Sequence, residues 1–173
     1  MKKFHLSLPI LALTLCLGSC EHELVLEPRQ AAPTILQSRS SQELPFHGVY
    51  QNTSVTLLAP PPMLQQEIVS IGQATHLGQS TFSVVSTVDM TTPPPFSLGG
   101  TGVFVAANGD ELYVSLTGTA TPDGQGNNAL IILFTVTGGS GRFENASGNL
   151  TSYTVVQPGV PGGEISIEGT ISY

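Results

Sequence analysis

An all-β domain, either a sandwich or a barrel, is what this sequence predicts for residues 45–173. Three observations predict it. The segment is rich in Thr, Ser, Val, Ile and Gly, and it carries no apolar stripe at a helical period. Short β-prone runs alternate instead with turn signals at fairly even spacing. The span is long enough for one hydrophobic core and for one domain.

Eight runs read as strands: 49–59, 67–75, 79–89, 102–107, 111–121, 129–137, 148–156 and 164–173. The first stops at Pro60-Pro61-Pro62, which cannot donate ladder hydrogen bonds. The second and third carry a small echo, Gly72-Gln73-Ala74-Thr75 and Gly78-Gln79-Ser80-Thr81, and read as adjoining strands of similar pattern. Pro93-Pro94-Pro95 separates the third run from the fourth. Asn108-Gly109 joins the fourth to the fifth and predicts a type I′ hairpin, whose two central residues need positive φ. Asp123-Gly124-Gln125-Gly126-Asn127-Asn128 reads as a turn before the sixth run, and residues 158–163 as a turn before the eighth.

Alternation shows what the strands enclose. Leu112, Val114 and Leu116 oppose Tyr113, Ser115 and Thr117, while Ile165, Ile167, Ile171 and Tyr173 oppose Glu164, Ser166, Glu168, Thr170 and Ser172. One face is dry and one is wet. Residues 129–134, Ala-Leu-Ile-Ile-Leu-Phe, break this rule by being apolar on both faces. Their second face needs a cover: a loop, a proline segment or, as the preferred expectation, a neighbouring subunit.

The N-terminus is read separately. Lys2 and Lys3 precede an apolar run, residues 4–17, too short to span a bilayer. Leu17-Gly18-Ser19-Cys20 then resembles the lipobox of bacterial lipoproteins, in which the cysteine is acylated and becomes the first mature residue. The resemblance implies a signal peptide over 1–19, lipidation at Cys20 and a location in the cell envelope, at the outer membrane; Glu21-His22-Glu23 after the cysteine resembles the signals that send some lipoproteins to the cell surface. Cys16 would leave with the signal, so the mature chain could form no internal disulfide. More than one acyl chain is needed for stable anchoring, and mature lipoproteins carry two or three. Residues 20–44 read as the lipidated cysteine and a flexible tether.

Charge excludes one partner class. The chain has 12 acidic and 5 basic residues; removing Lys2 and Lys3 leaves 3 basic, a net charge of −9. Arg142 is the sole Lys or Arg after Pro45. Such a surface repels phosphate backbones, so no nucleic acid is expected.

The stretch Gly138-Gly139-Ser140-Gly141-Arg142-Phe143-Glu144-Asn145-Ala146-Ser147-Gly148 is similar to the glycine-rich signature of the allene oxide cyclase and dirigent-like β-barrels. The hairpin at Ala107-Asn108-Gly109-Asp110 and the end Glu168-Gly169-Thr170-Ile171-Ser172-Tyr173 resemble members of the same group. The resemblance covers residues 72–173. It implies an eight-stranded antiparallel up-and-down barrel, often a homotrimer, with an apolar lumen and Phe143 plugging one end. None of that family's functional polar residues is carried over to a position here.

No catalytic or metal site emerges. His47 and His76 are the only histidines after Pro45, without a cysteine among them. No nucleophile elbow is present, and Gly99-Gly100-Thr101-Gly102 has neither the lysine nor the helix of a phosphate loop. No cofactor is therefore expected. The candidate ligand-lining residues are Leu112, Val114, Leu116, Ile165, Ile167 and Ile171 in the lumen, with Arg142 able to meet a carboxylate at the barrel mouth or to pair with Glu144 or another acid.

Three functions are weighed. The first is a non-catalytic envelope lipoprotein whose barrel binds a small apolar ligand. The second is a structural or interaction barrel that forms oligomers. The third is an isomerase or cyclase of a lipid-derived substrate. The N-terminal reading has a direct test: Cys20→Ala abolishes metabolic labelling with a fatty-acid analogue, and continued labelling would overturn it.

Overall fold

A computed structural model describes residues 42–157 and 160–173. The expected signal peptide, Cys20 and most of the expected tether lie outside the described residues. Eight strands follow in order: β1 Leu44–Ala59, β2 Met63–Ala74, β3 Gly78–Asp89, β4 Phe96–Val105, β5 Glu111–Pro122, β6 Asn128–Gly139, β7 Ser147–Val156 and β8 Glu164–Ser172. Each pairs antiparallel with the next, and β8 returns to pair with β1, closing the barrel. The predicted fold class, an all-β eight-stranded antiparallel barrel, is the observed one.

The differences lie at strand ends. β1 begins at Leu44 rather than at 49 because its first residues pair with the far end of the chain, Leu44 against Ile171 and His47 against Glu168. β4 begins at Phe96 rather than at 102 because Leu98 is held between Val88 and Gly118. Gly99, Gly100 and Gly102 hide that strand from local propensity. The Asn108-Gly109 connection is a hairpin, but not the type I′ expected. Among the described non-glycine residues only His76 has positive φ, so Asn108 is not left-handed, whereas Gly109 has φ +87°. Gly109 N–H donates to the Ala106 carbonyl and Ala106 N–H to that of Asp110. The loop is therefore the three-residue kind, a tight turn followed by a left-handed glycine.

The two ends of the barrel differ. The β2–β3, β4–β5 and β6–β7 connections meet at one end, the other four connections at the opposite end. At the first end Phe143, in the 3₁₀ turn Gly141–Phe143, is fully buried with its ring 4.9 Å from that of Tyr173. Below it the lumen is filled with rings. Phe104 of β4 stacks on Phe82 of β3 at 4.1 Å between centroids and 11° between planes. Tyr50 and Phe46 of β1 approach Phe104 at 5.5 and 6.1 Å, and Phe134 of β6 meets Phe82 edge-on at 6.0 Å. Such pairs add roughly 0.5–1.5 kcal/mol each beyond the area they bury.

Glycines on inward strand positions make room for these rings. A Cβ at Gly72 would lie 2.7 Å from the Tyr50 ring, and one at Gly102 would lie 2.8 Å from that of Phe82. Each glycine lies on the strand paired with that of the ring, so a side chain there would occupy space the ring fills.

Tyr50 carries the one polar atom of the cluster. Its hydroxyl shares a 2.8 Å hydrogen bond with Ser80 Oγ. Burial pushes its phenol up to about 12 from the ordinary 10, against a smaller lowering by the Ser80 contact. The unfolded chain thus loses this proton first, so stability is intact below pH 10 and falls as pH rises toward 12. In thermal melts, Tyr50→Phe flattens the decline over that window relative to the parent. An unchanged alkaline slope would mean that Tyr50 is not the responsible group.

Candidate functional site

Alternation places residues 52 (β1), 64, 66, 68 and 70 (β2), 84, 86 and 88 (β3), 116 (β5), 130 and 132 (β6), and 154 and 156 (β7) toward the end of the lumen that the rings do not fill. A cavity of about 80 Å³ occupies it. That is room for a few waters or a short alkyl segment, against roughly 150 Å³ for an engineered cavity that takes benzene and at least about 300 Å³ for a drug-sized pocket. Its floor is Phe82 and Phe134, shared with the aromatic cluster; Val84, Leu98, Leu116 and Ile132 form walls, and Val55, Val156, Gln157 and Val160 the rim.

β1 and the β7–β8 connection are tied together beside this rim. Asn52 N–H donates to the Gly163 carbonyl, and its own carbonyl accepts from Gly162 N–H, both at 2.9 Å. The β7–β8 ladder runs from Ser147 to Thr151; past it, Thr154 Oγ1 donates to the Glu164 carbonyl at 2.7 Å.

Six polar side chains line the cavity: Asn52, Gln66, Ser70, Ser86, Thr154 and Gln157. None ionises near neutral pH. Ser70 Oγ donates to Asn52 Oδ1 at 2.8 Å. Ser86 Oγ is buried and has no hydrogen-bond partner among the described residues, and the same holds for Ser152 Oγ further along β7. A buried hydroxyl left unpaired costs about 1–3 kcal/mol.

The lining residues expected from sequence divide between the two halves. Leu116 and Ile165 border the cavity. Leu112, Val114, Ile167 and Ile171 are buried in the core and do not border it. Arg142 requires a correction: it does not border the cavity and does not meet a mouth there. It sits in the 3₁₀ turn at the ring-filled end, with Nε 3.4 Å from Asp110 Oδ2 and its Nη2 donating to the His76 carbonyl. Its guanidinium lies 4.8 Å from the Phe143 ring centre. The pairing acid is Asp110 of the neighbouring β4–β5 connection, which packs against Gly141 of the same turn.

Sequence reasoning missed the polar cavity residues. The signal existed in phase: Ser86 shares the alternation of Phe82, Val84 and Val88, and Thr154 that of Leu150 and Val156. A polar residue in an apolar phase marks an inward hydroxyl.

The histidines and turn acids have structural partners. His76 Nε2 lies 3.0 Å from the Pro45 carbonyl, and His47 Nδ1 lies 3.3 Å from Glu168 Oε1 at the surface. Asp123 closes its own turn, accepting from Gln125 N–H, Asn127 N–H and Asn127 Nδ2, so its carboxyl is held below the usual range chiefly by the Asn127 side chain.

One outer face is apolar. Ile131 and Leu133 of β6 are 60% and 45% exposed, and Tyr153 and Val155 of β7 are 68% and 53% exposed. Ile131 and Tyr153 are direct cross-strand partners. Among the described residues, neither a loop nor a proline segment covers them.

No protein-family model and no curated protein matches this sequence. Among solved structures, a pterocarpan synthase dirigent protein is similar in fold, with a TM-score of 0.51 at 13% identity over 84% of this chain and 98% of that one. The described chain therefore has the dirigent-like barrel fold.

Proposed function

We propose that this chain is a lipid-anchored protein of the cell envelope, probing its surroundings with a non-catalytic barrel that holds a small apolar ligand. The observation that carries the reading is the half-filled lumen. Its ring-filled end supplies rigidity, and its other end supplies an apolar cavity with a few neutral polar groups, the usual make-up of a small-molecule site. Cys20 and the tether support the location, and the acidic balance keeps the domain off phosphate surfaces. The cyclase reading lacks support at the lining, where none of the described side chains ionises near neutral pH.

The neutral fluorophore N-phenyl-1-naphthylamine, which is larger than the cavity and would extend past its rim, serves as reporter. Its emission rises on addition of the protein, and Leu116→Trp, which fills the cavity, reduces that affinity at least tenfold while far-UV circular dichroism stays that of a barrel. No rise with the parent protein, or equal binding by the filled and folded variant, would overturn ligand binding in the lumen.

A second reading rests on the outer stripe. Ile131, Leu133, Tyr153 and Val155 form a contiguous apolar strip that a second copy of the chain would cover, consistent with a homotrimer. Ile131→Lys with Tyr153→Lys then shifts the sedimentation coefficient from oligomer to monomer. A parent chain that sediments as a monomer at all concentrations would remove this reading.

A further inference from the structure

We infer that the lumen selects an uncharged ligand, an apolar body with one hydroxyl or carbonyl that pairs with the Ser86 hydroxyl, and that it excludes carboxylates. This inference rests on the ligand-binding reading above and adds the chemical class.

Three features point to that class. First, the hydroxyl of Ser86 borders the cavity, is 4% exposed and has no partner among the described residues. A serine can both donate and accept, so a hydroxyl, ether or carbonyl on the ligand would satisfy it. Second, among the described residues the lining contains no Lys, Arg or His that could compensate a buried anion. An anion moved from water into an apolar site without a counter-charge is strongly disfavoured. The one arginine after Pro45 is committed to Asp110 and the His76 carbonyl at the opposite end.

Third, the connections at the cavity end carry carboxylates. Asp89 ends β3 and Asp123 lies between β5 and β6. Hydrogen bonds hold both ionised, from Thr91 to Asp89 and from Asn127 and Gln125 to Asp123. An approaching anion meets like charge before it meets the apolar floor.

The cavity volume sets the size of the buried part. About 80 Å³ admits a short alkyl segment. The remainder of a longer molecule would extend past the rim at Val156 and Val160.

The test is competition against N-phenyl-1-naphthylamine on the mature chain, with 1-octanol, methyl octanoate and octanoate at neutral pH. Octanol and the ester displace the reporter, and octanoate is at least 100-fold weaker. Ser86→Ala, which removes only an unpaired hydroxyl and leaves the barrel folded, weakens octanol about fivefold, one neutral hydrogen bond. Ser152→Ala, whose equally unpaired hydroxyl does not border the cavity, leaves octanol unchanged. Octanoate binding as well as octanol would overturn the charge exclusion. An unchanged octanol affinity in Ser86→Ala would overturn the assigned contact. Failure of the reporter itself to bind the parent would fall on the ligand-binding reading instead.

Discussion

The fixed width of a closed eight-stranded barrel is the constraint on which the rest of this structure depends. Strand number sets how much side-chain volume fits inside, and here the rings of Phe46, Tyr50, Phe82, Phe104 and Phe134 use up the volume of one half. They fit only because neighbouring inward positions, Gly72 and Gly102 among them, give up their side chains. The same rings become the floor of the cavity in the other half, through Phe82 and Phe134. Filling and emptiness are thus two results of one packing arrangement.

Charge is distributed with equal consequence. Arg142 is pinned between Asp110 and the His76 carbonyl and lies against Phe143, so the domain's cation serves to close the ring-filled end. Tyr173 joins the same closure through its contacts with Phe143 and His76. The polar side chains lining the cavity at the other end are neutral, and the carboxylates of that end, Asp89 and Asp123, lie in its connections. Similarity of fold to a dirigent protein fixes the architecture and not the chemistry, which depends on side chains that the two need not share.

The outer wall raises a different question of solvation. A barrel surface is normally polar where the lumen is apolar, because successive side chains point to opposite faces. β5 obeys this rule, with Ser115, Thr117 and Thr119 outside. β6 and β7 do not, and Ile131 with Tyr153 leaves an apolar strip facing water. Association of copies along that strip would remove it from solvent without altering the lumen, so ligand binding and oligomerisation are compatible roles for one chain.

The sequence by itself determined eight strands, their alternation and an all-β sandwich or barrel, because a period of two and turn residues such as Asn108-Gly109 act over a few residues; the closed barrel was implied only by the resemblance of residues 138–148 to the dirigent-like signature. The sequence also contained the doubly apolar character of residues 129–134. Only the tertiary structure decided which inward residues border a cavity. Leu116 and Leu112 have the same phase on β5, yet one borders it and the other packs the core, because depth along the barrel depends on strands distant in sequence. The start of β1 at Leu44, the reach of Arg142 to Asp110 and the unpaired Ser86 hydroxyl have the same origin. Each follows from a neighbour brought in by barrel closure, and no local pattern encodes that neighbour.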